Sequence, residues 1–127
     1  MAPSLDGKAD KADTILTTTL SRGRKANTVV GTGSVAFGDT VTATGNYSVA
    51  IGNATVATGN NSYAEGSISV ASGYSAHAEG CGSLASGEYS HAEGYESYAT
   101  GNSSHAEGNG TTASGVGSHT EGFDTVA

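Results

Sequence analysis

Hydrophobic and polar residues alternate along most of the chain in short stretches that end in glycine. Typical stretches read SVAFG at residues 34–38 and SVAIG at residues 48–52, and two variable residues follow each of them. Strict alternation places successive side chains on opposite faces, as in a β-strand with two different surfaces. The pattern therefore predicts a series of short strands from about residue 25 onward.

Glycine recurs at every seventh position from Gly31 to Gly122 without a miss. Two kinds of half-repeat alternate, one reading SVAFG to SHAEG and the other TVATG to SYATG, so the true period is 14 residues. A short exact period indicates a solenoid in which each repeat stacks on its neighbours. A helix is disfavoured, because glycine every seven residues among serines and threonines is poor helix material.

Small residues occupy one face of every predicted strand. The residue two before each glycine is almost always alanine, and the residue four before is usually serine or threonine. Two strands can then lie back to back with these side chains between them, and glycine permits the tight corners. We predict an all-β, parallel β-roll of about seven 14-residue coils over residues 25–127, truncated mid-repeat, and an extended or short-helical lead-in over residues 1–24 that caps the first coil.

The outward positions of the SVAFG-type half-repeats change character along the chain. The first two coils carry large apolar pairs: Val35, Phe37, Val49 and Ile51. A thin roll filled with alanine and serine cannot bury such pairs itself, so we expect another chain to cover them. Later coils replace them with the polar pairs Tyr63/Glu65, His77/Glu79, His91/Glu93, His105/Glu107 and His119/Glu121.

The motifs GSVAFG at residues 33–38 and YSVAIG at residues 47–52, with TVATG between coils, resemble the head repeats of YadA-like trimeric autotransporter adhesins. The resemblance implies a left-handed parallel β-roll, a homotrimer around a threefold axis, and apolar pairs that face this axis. Because the polar pairs of the later coils occupy the same repeat positions as the apolar pairs, they would line the same axis. In addition, KADKADT at residues 8–14 and the SHAEG repeats resemble segments of phage and prophage tail-fibre proteins.

These resemblances favour a structural and adhesive role outside the cell. We expect a trimeric fibre segment of a phage or prophage tail fibre that supports or contributes to recognition of the host surface. The alternative is the head of a bacterial surface adhesin that binds a host or matrix ligand. Candidate receptor contacts are the variable corner residues Asn60, Asn61, Tyr74, Tyr89, Tyr95, Glu96, Asn102 and Phe123, which otherwise serve only to solubilise the rod.

Charge and composition exclude several other classes. All five Lys and Arg residues precede residue 26, and nine acidic residues follow, so we expect no nucleic-acid partner. The chain shows no apolar run of membrane-span length, and we expect no membrane insertion. Cys81 is the only cysteine, which rules out an intrachain disulfide and fits a turn residue.

The repeated His-x-Glu pair raises the question of chemistry. Catalysis uses one unique constellation, whereas this pair recurs in four coils, so we predict neither an enzyme nor a cofactor. Ice binding is disfavoured, because among the outward pairs of the TVATG-type half-repeats only Thr42 and Thr44 are both threonine. We favour an architectural role in which imidazoles of a neighbouring chain pair with the glutamates. Two alternatives stay open: a metal column at His77, His91, His105 and His119, and simple surface decoration.

Overall fold

The computed structural model describes residues 19–127. The KADKADT segment and most of the expected lead-in lie outside the described residues, and the boundary at residue 25 stays a prediction. Within the described range the chain contains strands, turns and bends but no helix, and hence no helix that could cross a membrane.

The described residues form thirteen strands. They are β1 (Thr19–Arg24), β2 (Ser34–Ala43), β3 (Val49–Asn53), β4 (Val56–Ala57), β5 (Tyr63–Ser67), β6 (Val70–Ala71), β7 (His77–Cys81), β8 (Leu84–Ala85), β9 (His91–Tyr95), β10 (Tyr98–Ala99), β11 (His105–Asn109), β12 (Thr112–Ala113) and β13 (His119–Phe123).

Two parallel sheets lie back to back. The front sheet contains β1, the first half of β2, and then β3, β5, β7, β9, β11 and β13. The back sheet contains the second half of β2 and the short strands β4, β6, β8, β10 and β12. From Val35 onward each residue pairs with the one 14 positions later, as Val35 does with Val49. The predicted parallel β-solenoid of about seven turns is therefore confirmed.

Alanine fills the space between the sheets. Every alanine two positions before a repeat glycine from Ala36 to Ala113 has no solvent exposure. The second interior position holds serine or threonine in most coils, and Val41 is the largest fully buried side chain. Some of these hydroxyls donate to the backbone nearby, as Ser48 Oγ does to the Gly45 carbonyl at 2.6 Å. The interior is therefore thin and poor in apolar bulk, and not all of its hydroxyls are satisfied: the buried hydroxyl oxygens of Thr55, Ser62, Ser104 and Ser118 have no hydrogen-bond partner among the described residues.

The corners adopt an uncommon backbone conformation. The second residue of most two-residue corners has a positive φ, including Tyr47 at 58° and the β-branched Ile68 at 60°. The corner amide then donates to the preceding coil, as Tyr89 N–H does to the Tyr74 carbonyl at 2.8 Å. A left-handed conformation costs free energy for residues other than glycine, so stacking must offset this cost at each corner.

At the N-terminal end of the roll, Arg24 binds across the opening. Its Nη1 donates to the Ala43 carbonyl at 2.7 Å and its Nη2 to Ser34 Oγ at 3.1 Å. Burial lowers the pKa of this guanidinium. Arg24 thus joins β1 to both sheets of the first coil.

Candidate functional site

The front sheet carries two straight columns of outward side chains. The first column runs from Val35 and Val49 through Tyr63 to the four histidines, and the second from Phe37 and Ile51 through five glutamates. The columns are straight because the strands are parallel and stack with a constant 14-residue offset. We call the set His77, His91, His105, His119, Glu65, Glu79, Glu93, Glu107 and Glu121 the histidine–glutamate ladder.

The rings of the first column form a continuous stack. Tyr63 lies parallel to His77 with ring centroids 4.9 Å apart and an interplanar angle of 4°. The successive histidine pairs follow at 4.7, 4.7 and 4.8 Å with angles of at most 10°. The distances equal the usual strand spacing, so the sheet itself sets the stack.

Each histidine pairs with the glutamate of the preceding coil. The Nε2–Oε1 distances are 3.3 Å for His77–Glu65 and His91–Glu79, and 3.2 Å for His105–Glu93 and His119–Glu107. An ionised carboxylate can only accept, so Nε2 carries the proton in these hydrogen bonds. The sequence alone predicts donors from a neighbouring chain; the structure instead supplies each donor from the same chain, one coil further on.

The ladder is half-buried except at His119 and Glu121, which are exposed at its C-terminal end, and its carboxylates interact with one another. The pKa of Glu79 is raised, and burial is the largest cause. Hydrogen bonds to Glu93 and Glu65 raise this pKa further, and together these effects outweigh the lowering by His91 and His77. At Glu65 burial also raises the pKa, but hydrogen bonds from Glu79, Tyr63 and His77 outweigh it and leave the pKa lowered. The pKa of Glu93 is lowered by hydrogen bonds to Glu79 and Glu107, which outweigh burial. Glu79 is therefore the carboxylate of these three that most readily holds a proton.

The pKa of Tyr63 is raised for related reasons. Burial contributes most, followed by the hydrogen bond to Glu65, whose Oε2 accepts from the tyrosine hydroxyl at 3.0 Å. The negative charges of Glu65 and Glu79 add to the effect. Tyr63 therefore remains a neutral donor that closes the N-terminal end of the ladder.

An open groove runs along the glutamate side of the ladder. It is lined by Glu79, Glu93, Glu107 and Glu121 and by the glycines that follow them. Three ladder groups within the described residues bring two imidazoles and one carboxylate together, with ligand atoms all within 4.8 Å of one another. Nitrogen and oxygen ligands in this combination can hold a transition-metal ion.

The apolar residues at the start of the two columns form a surface that the single chain does not cover. Val35, Phe37 and Val49 are half-buried, and Ile51 is 39% exposed. Their side chains point away from the alanine interior, as the alternation predicts. Their position at a threefold axis stays a prediction.

The candidate receptor contacts are all exposed, but the structure divides them between the two edges of the roll. Tyr95 and Phe123 are the last residues of front-sheet strands and Glu96 directly follows one, whereas the others follow back-sheet strands. Tyr74 and Tyr89 pack edge to face with ring centroids 5.6 Å apart.

Two of the corner asparagines also have a structural role. Asn60 Oδ1 accepts from Asn46 N–H at 2.9 Å, and Asn102 Oδ1 accepts from Glu88 N–H at 3.1 Å. Sequence reasoning passed over Tyr47 and Ile68, which are 64% and 60% exposed. Their positions in the corner dipeptides were the signal that could have identified them.

Comparison with protein families supports the same architecture. The model of the YadA head domain repeat matches residues 30–55, 43–67 and 92–118, which together make up about half of the chain. The chain belongs to the YadA head domain repeat family. YadA heads belong to trimeric adhesins of the cell surface, and these repeats are structural rather than catalytic. No curated protein and no solved structure matched the chain significantly.

The matched YadA repeats include both kinds of coil. The segments 30–55 and 43–67 contain the apolar pairs, whereas 92–118 contains His105 and Glu107 of the ladder. The exchange of apolar for polar outward pairs therefore stays within the YadA head repeat, and the ladder is a variant of the same strand position.

Proposed function

We propose that this chain is a segment of a homotrimeric extracellular fibre in which the front sheet of each chain faces a threefold axis. The observation that carries the proposal is the outward apolar surface formed by Val35, Phe37, Val49 and Ile51 above an interior of alanine and serine. Isolated apolar residues on a surface need no explanation, but two adjacent coils here present a contiguous patch on a flat sheet.

Association would add the burial that the single roll lacks. Alanine and serine bury little apolar area, so one roll has few large side chains to offset the entropy of ordering the chain. Covering the remaining exposed area of a large apolar side chain contributes on the order of 1 kcal/mol. Four such side chains in each of three chains would make assembly and folding interdependent.

The ladder would continue the same axis with polar side chains. Each carboxylate from Glu65 to Glu107 already has an imidazole partner in its own chain, so the desolvation of the pairs on assembly is partly compensated. A polar stretch of this kind would set the register between chains rather than supply most of the affinity, as buried polar groups do in coiled coils.

A pair of matched double variants tests the assembly. Val49→Glu with Ile51→Glu places six carboxylates at the proposed axis of each trimer, and we expect loss of the soluble trimer in light scattering. The control, Val56→Glu with Thr58→Glu, changes the equivalent positions of the back sheet, where Val56 is also half-buried. A folded monomer of the unmodified chain, or a normal trimer of the front-sheet variant, would contradict the proposal.

We further propose that the fibre belongs to a phage or prophage tail and supports recognition of the host surface. The resemblance of the SHAEG repeats to tail-fibre proteins supports this context, whereas the family match by itself favours the alternative of a bacterial surface adhesin head. Immunogold labelling with an antibody against the chain distinguishes them. Gold on virion tails supports the fibre, and gold on intact bacterial cells without virions refutes it.

A further inference from the structure

We propose that the histidine–glutamate ladder binds divalent transition-metal ions of the zinc class at sites built within one chain, between successive coils. Each site would use the histidine and glutamate of one strand and the histidine of the next, as in His77, Glu79 and His91. The proposal goes beyond the fibre role, because it depends on contacts inside a single chain.

The ladder already holds two ligands of each site near metal-binding geometry. Bonds of about 2.0–2.1 Å in a tetrahedral zinc site place ligand atoms roughly 3.3 Å apart. His91 Nε2 lies 3.3 Å from Glu79 Oε1, and His119 Nε2 lies 3.2 Å from Glu107 Oε1. An ion would therefore take the place of the hydrogen-bonding proton with little movement of these pairs.

The third ligand needs a larger adjustment. His77 Nε2 lies 3.9 Å from the other oxygen of Glu79, and the atoms of the group lie within 4.8 Å of one another. The two parallel imidazoles must tilt toward each other to close this edge. The terminal torsion of histidine is soft and both rings are about one-third exposed, so the rings have room to rotate on their solvent side. His77 would exchange its hydrogen bond to Glu65 for the bond to the metal.

The ligand chemistry selects the class of ion. Imidazole nitrogen with one carboxylate oxygen suits zinc, nickel and copper, and water can complete the coordination. Calcium and magnesium require mostly oxygen ligands, which these groups do not provide. From Ala26 onward the chain has nine acidic residues and no Lys or Arg, so the surrounding charge also favours cations.

The overlap of the groups sets the number of ions. The central group, His91, Glu93 and His105, shares one histidine with each outer group, whereas the two outer groups share none. Each Nε2 can ligate one ion, so full occupancy is two ions per chain, in the outer groups. The ions would lie two coils apart, roughly 10 Å, with the Glu93 carboxylate between them.

Zinc titration of the full chain by calorimetry tests this arrangement, with cobalt absorption as the spectroscopic readout of tetrahedral coordination. We expect two ions per chain for the unmodified protein and one for His91→Gln. The decisive comparison uses two double variants that each retain two histidines. His91→Gln with His105→Gln removes all three groups and should bind no ion, whereas His77→Gln with His119→Gln spares the central group and should bind one.

Circular dichroism establishes that each variant keeps its β-sheet. If a double variant does not fold, the test is the number of ions bound by His91→Gln, with one ion expected against two for the unmodified protein. Equal stoichiometry in the two double variants would show independent binding to surface histidines and would overturn the proposal. Fewer than one ion per chain in the unmodified protein would also overturn it, because that ratio means ions shared between chains.

Discussion

Gly59→Ala replaces a repeat glycine in the middle of the roll, and we expect it to lower the free energy of unfolding substantially. An added Cβ would overlap the carbonyl oxygen of Gly73 in the next coil and would lie 2.7 Å from the Gly73 carbonyl carbon and 2.9 Å from the Ser72 oxygen. Real Cβ atoms do not approach other heavy atoms closer than 3.0 Å. The two coils must therefore separate by roughly 1 Å at this corner, which the close packing of protein interiors opposes.

The cost follows from the bonds that cross this corner. Thr58 N–H and Gly59 N–H both donate to the Ala71 carbonyl, at 3.0 and 3.3 Å. A separation of this size breaks them at about 1 kcal/mol each. Displaced packing adds about 1–3 kcal/mol. We expect a loss of about 3–5 kcal/mol, equivalent to roughly 10–20 °C in melting temperature.

The last glycine of the same column provides a matched control. A Cβ at Gly115 would meet only Ser118 Cβ at 3.5 Å and Ser118 Oγ at 3.7 Å, which are ordinary contacts. Gly115→Ala should therefore change stability by less than about 1 kcal/mol. Thermal and urea unfolding monitored by circular dichroism measure both variants. Equal stability of the two would refute the steric reasoning, because backbone entropy alone affects them alike.

Arg24→Ala removes hydrogen bonds to the Ala43 carbonyl and to Ser34, and we expect it to destabilise the roll by about 2 kcal/mol in urea unfolding. The control Arg22→Ala, at an exposed residue of the same strand, should have little effect. Equal effects of the two variants would contradict the role of Arg24. If the corners contact a receptor, the triple change of Tyr74, Tyr89 and Tyr95 to serine should weaken binding of the labelled protein to host cells about tenfold or more. Unchanged binding by an intact assembly would mean that these tyrosines only solubilise the fibre.

The sequence predicted the solenoid because the constraint on it is local and repeated. Alanine two positions before each repeat glycine, as at Ala64 and Ala92, marks the interior, and this assignment holds in the structure. Glycine marks the corners that follow the back-sheet strands, as at Gly59, whereas the front-sheet glycines lie within strands, as Gly52 does in β3. A strict period also implies the 14-residue register, since identical coils stack most easily in phase. The chain likewise showed which residues point outward, because strand alternation leaves no other choice.

The sequence did not indicate how the outward side chains meet. His-x-Glu suggests a pair within one strand or between chains, yet the closest partner of His91 is Glu79, twelve residues earlier in the preceding coil. The role of Arg24 across the open end, and of Asn60 as a cap for the preceding corner, was equally invisible. These contacts depend on side-chain torsions and on the lateral offset between coils. A periodic sequence determines which residues share a face, whereas only the stacked coils decide which atoms on that face come within bonding distance.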